Sequence, residues 1–351
     1  MADHPSARIY RDEDADPRVL AGKTVAVLGY GNQGRSQALN LRDSGVATIV
    51  GNMADRYADD ARADGFTVLP IAEAAARADV LMLLVPDEIM PEVYAASVAP
   101  ALTAGKTLDF ASGYNVAFGQ IVPPADVDVV LIAPRMIGPG VRDAYVAGRG
   151  FPSFIALHQD ASGQGMRRLL ALAHALGSTR AGCIAMSMHD EATLDLFTEQ
   201  GFGPAFGRVF MAAIDTLVSA GYPPEAVLLE LYLSGELAYS FEKIRQVGMM
   251  RQMDYHSRTS QYGSLTRSAR FGDVDVESRM TTVLREIQDG TFAREWSAAK
   301  EEGEAMIARV KTIRDQLPLT EWELRTRRAF GIGDAAEAPQ NDTSDTSRRR
   351  S

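Results

Sequence analysis

The chain has 351 residues, 46% of them hydrophobic and 23% charged, and its 36 Lys and Arg against 46 Asp and Glu leave a formal charge of −10. That length suits about two domains with ample core. The acidic balance excludes a broad nucleic-acid footprint, which needs clustered Lys and Arg. In chain order, the acidic start MADHPSARIYRDEDAD lacks the apolar core of a signal peptide. No apolar run approaches the ~20 residues of a bilayer span, so a cytoplasmic protein with no membrane contact is expected. Short β-branched runs then alternate with helical patterns: strands at 23–28, 47–50, 80–85, 107–110, 127–132 and 154–156, and helices over 36–44 and 59–64. This alternation predicts βαβ units and a parallel sheet. Cys183, the single cysteine, excludes an intrachain disulfide, and between apolar neighbours in GCIA it reads as a small buried residue. From Glu191 onward the period is helical, with helices over 191–220, 224–247, 274–288 and 293–315. The expected architecture is an α/β Rossmann-like domain over 1–186, an all-α domain over 187–333, and a polar tail over 334–351 that needs no structure.

The segment VAVLGYGNQGRSQALNLRDSG carries Gly29, Gly31 and Gly34 as GxGxxG between a strand and a helix. The first glycine makes a tight turn, the second lets the backbone approach a pyrophosphate, and the third brings helix against strand. A following strand at 47–50 completes the context of a dinucleotide site. An acidic residue about 20 positions on would hold the ribose 2′-hydroxyl of NADH, and Asp55 lies in that window. Arg56 beside it suits the 2′-phosphate of NADPH instead. The two signals conflict, and the choice between NADPH and NADH stays open.

Eight separated motifs then resemble one family. They are GYGNQGRSQALNLRDSG (29–45), LVPDE (84–88), FGQIVPPADVDVVLIAP (118–134), QDASG (159–163), GSTRAG (177–182), DLFTEQ (195–200), SRTSQYG (257–263) and EIQDGTFAREW (286–296). Together they resemble the ketol-acid reductoisomerases of branched-chain amino-acid biosynthesis over residues 8–315. The resemblance implies a knotted helical second domain, an exception to ordinary topology, and a homodimer or larger homo-oligomer. It implies cofactor contacts at Tyr30, Asn32, Gln33 and Pro86 beside the three glycines. It also implies Mg2+ and a small keto-acid substrate: 2-acetolactate undergoes alkyl migration and is then reduced by hydride.

Asp195 and Glu199 stand i, i+4, which puts two carboxylates on one helix face. Their apolar neighbours Leu194, Leu196 and Phe197 would carry the pair into the interior, where bare carboxylates are costly without a cation. Alone, such a pair is more often a solvated face; in DLFTEQ it matches the family's first two metal ligands. The family's later ExxxE pair matches Glu230 and Ser234, and serine is a poor Mg2+ ligand. Glu236 is six residues past Glu230, roughly 240° around a regular helix. A two-residue bulge near Ser234-Gly235 would restore it to the ligand position. Ser257 matches a residue that touches substrate from the neighbouring subunit.

Two departures fall where the family handles protons. Its AHG histidine is Ser112, and its APKGPG lysine is Arg135. Serine cannot replace imidazole as a base unaided. Arginine keeps the charge and can grip a carboxylate, but does not donate a proton at neutral pH. Ser112, Arg135, Asp195 and Glu199 are the expected catalytic group, with Asp195, Glu199, Glu230 and Glu236 as metal ligands. His256, next to Ser257, is a candidate relocated proton carrier. Three readings follow: a metal-dependent reductoisomerase of 2-acetolactate-type acids, a reductase on the same scaffold without isomerisation, or a non-catalytic dinucleotide-binding protein.

Overall fold

The computed structural model describes residues 6–333, so the tail expected at 334–351 lies outside the described residues. Nine strands form one sheet: β1 (Ile9–Tyr10), β2 (Thr24–Leu28), β3 (Ala47–Gly51), β4 (Val68–Leu69), β5 (Val80–Leu83), β6 (Thr107–Phe110), β7 (Asp128–Pro134), β8 (Ser153–Gln159) and β9 (Cys183–Ala185). Their order is β1-β9-β8-β7-β6-β5-β2-β3-β4. The strands from β7 to β4 are parallel. Only this part is the parallel sheet that the alternation predicts. β8 runs antiparallel to β7, β9 follows β8, and β1 pairs antiparallel with β9.

Central strands such as β5 and β7 bury every residue, because helices cover both faces. On one face lie α1 (Asn32–Asp43) and, later in the chain, the helices at Gly138–Val146 and Gly165–Leu176, which pack on Val27, Met82, Val130 and Ile132. After α1 come α2 (Arg56–Ala63), α3 (Ile71–Arg77), α4 (Met90–Val93) and α5 (Tyr114–Ala117). Of these, α3, α4 and α5 supply apolar residues to the opposite face, against Leu81, Leu83, Leu108 and Leu131. The helices Gly138–Val146 and Gly165–Leu176 become α6 and α7, followed by α8 (Ser178–Ala181) and α9 (Met188–Phe197). Cys183 is fully buried in β9, and burial pushes its thiol up to about 12, so it packs as a small apolar residue.

By compactness the first unit comprises the residues up to Phe197 together with Ile287–Ala293. Packing carries it through α9, which lies against α5 and β8. The second unit comprises Thr198–Glu286 and the residues from Arg294 onward. It is helical: a π-helical turn at Thr198–Phe202, α10 (Gly203–Ser219), α11 (Pro224–Leu228), a second π-helical turn at Leu229–Leu233, α12 (Glu236–Val247), α13 (Arg258–Arg267) and α14 (Val276–Gln288). Then follow α15 (Thr291–Ala298), α16 (Lys300–Asp315) and α17 (Pro318–Phe330), with the ends of α14 and α15 counted in the first unit. The helix expected over 224–247 is interrupted, because Gly235 adopts φ +85° and starts α12 afresh. Among the described residues no helix is long and apolar enough to cross a membrane.

Candidate active site

The chain leaves β2 toward β3 on one side and later returns to β5 on the other, so a crevice opens beyond the carboxyl ends of β2 and β5. The glycine-rich turn sits there. Gly29 has φ +101°, and a Cβ on it would lie 2.8 Å from the Leu84 carbonyl oxygen at the end of β5. A Cβ on Gly34 would lie 2.1 Å from the Gly29 oxygen, so only glycine lets α1 begin this close to the turn. Gly31 differs, since a Cβ there would meet nothing within 4 Å. It caps α1, whose first turn has neither a side-chain cap nor an acidic residue. Unpaired N–H groups at that helix start suit a pyrophosphate.

The other expected cofactor residues divide between brace and rim. Tyr30 is buried, its hydroxyl donates to Asp64 (2.9 Å) and its N–H to Asn52 Oδ1 (3.2 Å), so its ring belongs to the core. Asn32 lies against α6, where a Cβ on Gly138 would come 2.2 Å from the Asn32 oxygen. Gln33 donates to the Met136 carbonyl (3.0 Å), tying α1 to the loop after β7. The Pro86 carbonyl accepts from Ile89 and Met90 and so starts α4. Asp55 Oδ1 accepts from Ala58 N–H (3.1 Å) and Asn52 Nδ2 (2.8 Å); it is the N-cap of α2. Arg56 stacks over Tyr57 and donates to its hydroxyl. Beside this loop is an apolar pocket of about 490 Å³ lined by Asn52, Met53, Leu69, Ile71 and Val93, which could take a flat ring.

A second cluster lies beyond the ends of β6 and β7. Gly113 lies so near α9 that a Cβ would come 2.3 Å from the Met188 oxygen. Its N–H donates to Glu191 Oε2 at 2.7 Å. Ser112 Oγ accepts from Tyr114 N–H (3.3 Å), which steadies the loop. Arg135, directly after β7, forks: Nη2 donates to Glu191 Oε1 (2.7 Å) and Nη1 to Asp195 Oδ1 (2.8 Å). Its Nε donates to the Ala133 carbonyl (3.3 Å) and its plane lies 4.8 Å over Phe154. Glu191 has no exposed surface, whereas the Asp195 side chain is 44% exposed. Burial pushes Glu191 up to about 7, against the lowering pull of the Gly113 N–H and the Arg135 guanidinium.

Sequence reasoning singled out Ser112, Arg135 and Asp195, and the fold brings Arg135 onto Asp195. It missed Glu191. The available signal was spacing, because Glu191, Asp195 and Glu199 recur every fourth residue on one stripe. The expected burial of the acidic pair does not occur in the single chain: Asp195 is partly exposed and Glu199 exposed, since Leu194 itself is 47% exposed. Glu199 lies in the first π-helical turn, Glu230 is exposed in the second, and Glu236 is exposed at the start of α12. Glu236 would face away from Glu230 only on one regular helix, and Gly235 breaks the helix between them. Among the described residues no three His, Cys, Asp or Glu groups converge on one metal position. The donor chemistry nevertheless suits Mg2+: hard carboxylate oxygens one turn apart in sequence, one already holding a cationic guanidinium. Ser257 caps α13 by accepting from Ser260 N–H, and His256 Nε2 lies 2.5 Å from Gln252 Nε2.

Comparison with known proteins adds an independent finding. The family model "Acetohydroxy acid isomeroreductase, NADPH-binding domain" matches residues 19–182, and "Ketol-acid reductoisomerase, C-terminal domain" matches 188–331. A Saccharolobus solfataricus protein named "Putative ketol-acid reductoisomerase 3" is 44% identical over 301 residues, 85% of this chain and 90% of that protein. The structure of an NADH-preferring ketol-acid reductoisomerase from an uncultured archaeon superposes with TM-score 0.87 at 34% identity, covering 92% of this chain and 98% of the other. A Cupriavidus necator semialdehyde dehydrogenase NAD-binding protein, at 18% identity and TM-score 0.53, covers 76% of this chain and 99% of its own, and shares the fold alone.

Proposed function

Because this chain belongs to the ketol-acid reductoisomerase family, we propose that it converts a 2-acetolactate-type 2-hydroxy-3-keto acid by alkyl migration and hydride reduction. The observation that supports this best is the placement of Ser112, Arg135, Glu191 and Asp195 beyond β6 and β7, on the same sheet edge as the glycine-rich turn after β2. NADH or NADPH, when bound, supplies the hydride. Mg2+, when bound, neutralises charge that develops on the substrate oxygens. Asp195 and Glu199 would hold it, and Glu230 and Glu236 would be its further ligands.

This chain's own groups divide the remaining work. Gly29, Gly31 and Gly34 seat the pyrophosphate, and Asp55 and Arg56 set the preference for NADH or NADPH. Arg135 orients carboxylate but does not give up a proton near neutrality. Ser112 orients without acting as a base. Glu191, pushed up to about 7, is the member of this cluster able to hold or release a proton at working pH. Ser257 of the partner subunit touches substrate, and the working protein is a homodimer or larger assembly in the cytoplasm.

Ser112 and Arg135 also favour a second reading, a reductase that has lost the migration step. Oxidation of NADH and NADPH with Mg2+ should be compared on 2-acetolactate and on 3-hydroxy-3-methyl-2-ketobutyrate. Turnover of both is the expected result. Turnover of only the second compound selects the reductase, and turnover of neither removes both enzyme readings for these substrates.

A further inference from the structure

We propose that Arg135 is a built-in stand-in for the divalent cation, holding the Asp195 carboxylate in the metal-free protein and yielding that oxygen when the ion binds. The inference rests on the Mg2+ reading of Asp195. Its ground is the inequality of the two arms of the fork. Both are short, 2.7 Å to Glu191 and 2.8 Å to Asp195. Glu191, however, has no exposed surface, so releasing its guanidinium would strand a buried carboxylate, which is strongly destabilising. Asp195 is 44% exposed, and a pair with that much solvent is weak. The Glu191 arm is therefore the firmer of the two and the Asp195 arm the exchangeable one.

The rest of the surroundings fit this division. Arg135 Nε on the Ala133 carbonyl and the Phe154 ring beneath the guanidinium fix its plane. Gly113 N–H occupies the other Glu191 oxygen, so Glu191 cannot turn away. The guanidinium thus stays beside Asp195 after the exchange, where its charge opposes the incoming ion. A lysine here would carry the same charge on one compact ammonium. Its single nitrogen, seated on Glu191, lacks the second guanidinium nitrogen that reaches Asp195 at 2.8 Å. Arginine at 135 accordingly makes the first ion bind more weakly than lysine would, and keeps Asp195 ordered in the ion's absence.

The test is Mn2+ titration of the metal-free full-length protein, free Mn2+ being followed by electron paramagnetic resonance. Wild type, Arg135→Lys and Asp195→Asn would be compared, with NADH affinity measured by fluorescence on each. Arg135→Lys is expected to bind the first Mn2+ about two- to fivefold more tightly than wild type, the yield of removing one exposed ion pair. Its NADH affinity should be unchanged. Asp195→Asn should lose that first ion. Equal or weaker Mn2+ binding in Arg135→Lys overturns the proposal while the loss in Asp195→Asn keeps the metal reading. Absence of saturable Mn2+ binding in wild type and Arg135→Lys alike overturns both.

Discussion

Both oxygens of Glu191 are occupied, one by a backbone N–H and one by Arg135, yet burial still dominates its proton affinity. That has a definite pH signature. Its folded-state value of about 7 lies above the 4.5 of an ordinary glutamate. Below about 4.5 the group is protonated in folded and unfolded chains alike, and its contribution to stability is complete. Between those values only the folded protein keeps the proton, so stability falls as pH rises through 7. The loss is on the order of 3 kcal/mol. Denaturant unfolding of the metal-free protein at pH 5.5 and pH 8 should show about 2 kcal/mol of that fall, and Glu191→Gln should flatten most of it. An unchanged slope in Glu191→Gln would assign the dependence elsewhere. The sequence displays an acidic stripe at 191, 195 and 199, but helical spacing says nothing of depth. Depth comes from the β6 and β7 ends that close over residue 191, a long-range fact absent from any local pattern.

At the scale of elements, the glycine turn separates what the fold needs from what a ligand needs. Gly34 touches the polypeptide itself, since an added Cβ would collide with the Gly29 oxygen at 2.1 Å. An added Cβ on Gly31 would meet nothing within 4 Å. Gly34→Ala should therefore lower the thermal midpoint by several degrees as well as weaken cofactor binding. Gly31→Ala should leave the midpoint within about a degree and weaken NADH and NADPH binding at least about tenfold, the cost of a methyl where the pyrophosphate approaches. A Gly31→Ala variant that binds dinucleotide normally would move the pyrophosphate off this turn. The strands around the turn were readable because β-branched runs such as TVAVL and VLML are buried on both faces and need no alternation. The helix α7 escaped notice. Its residues from Leu169 to Ala173 are all apolar and buried, so the polar face is confined to Arg167, Arg168 and His174 at its two ends and the period is hard to see. Spacing suggests a two-residue bulge near Ser234-Gly235; that the helix restarts there depends on the left-handed φ of Gly235, which the sequence does not display.

At the scale of the molecule the two units are unequally filled. The first closes two apolar clusters, one on each face of the sheet. The second buries Ile214, Val227 and Leu228 and otherwise relies on partly covered neighbours. A domain of that size ordinarily buries about two-thirds of its extended-chain surface. Its long helices instead leave large apolar groups in solvent, among them Tyr239 at 61%, Tyr262 at 67% and Met306 at 67%. Exposed apolar area on this scale marks an interface. A second copy of the same chain is the expected cover, because closed symmetry lets one apolar surface be buried against itself. The resemblance of SRTSQYG points the same way, since it implies that Ser257 reaches a neighbouring chain's substrate. Folding and association are then coupled, and apparent stability must depend on protein concentration. Sedimentation equilibrium should find a dimer or a multiple of it at micromolar concentration. The thermal midpoint should rise by a few degrees over a hundredfold increase in protein, and activity per chain should fall on dilution below the dissociation constant. A chain that sediments as a monomer at assay concentration and still turns over substrate would show that one copy suffices, and the exposed faces of the second unit would then need another occupant.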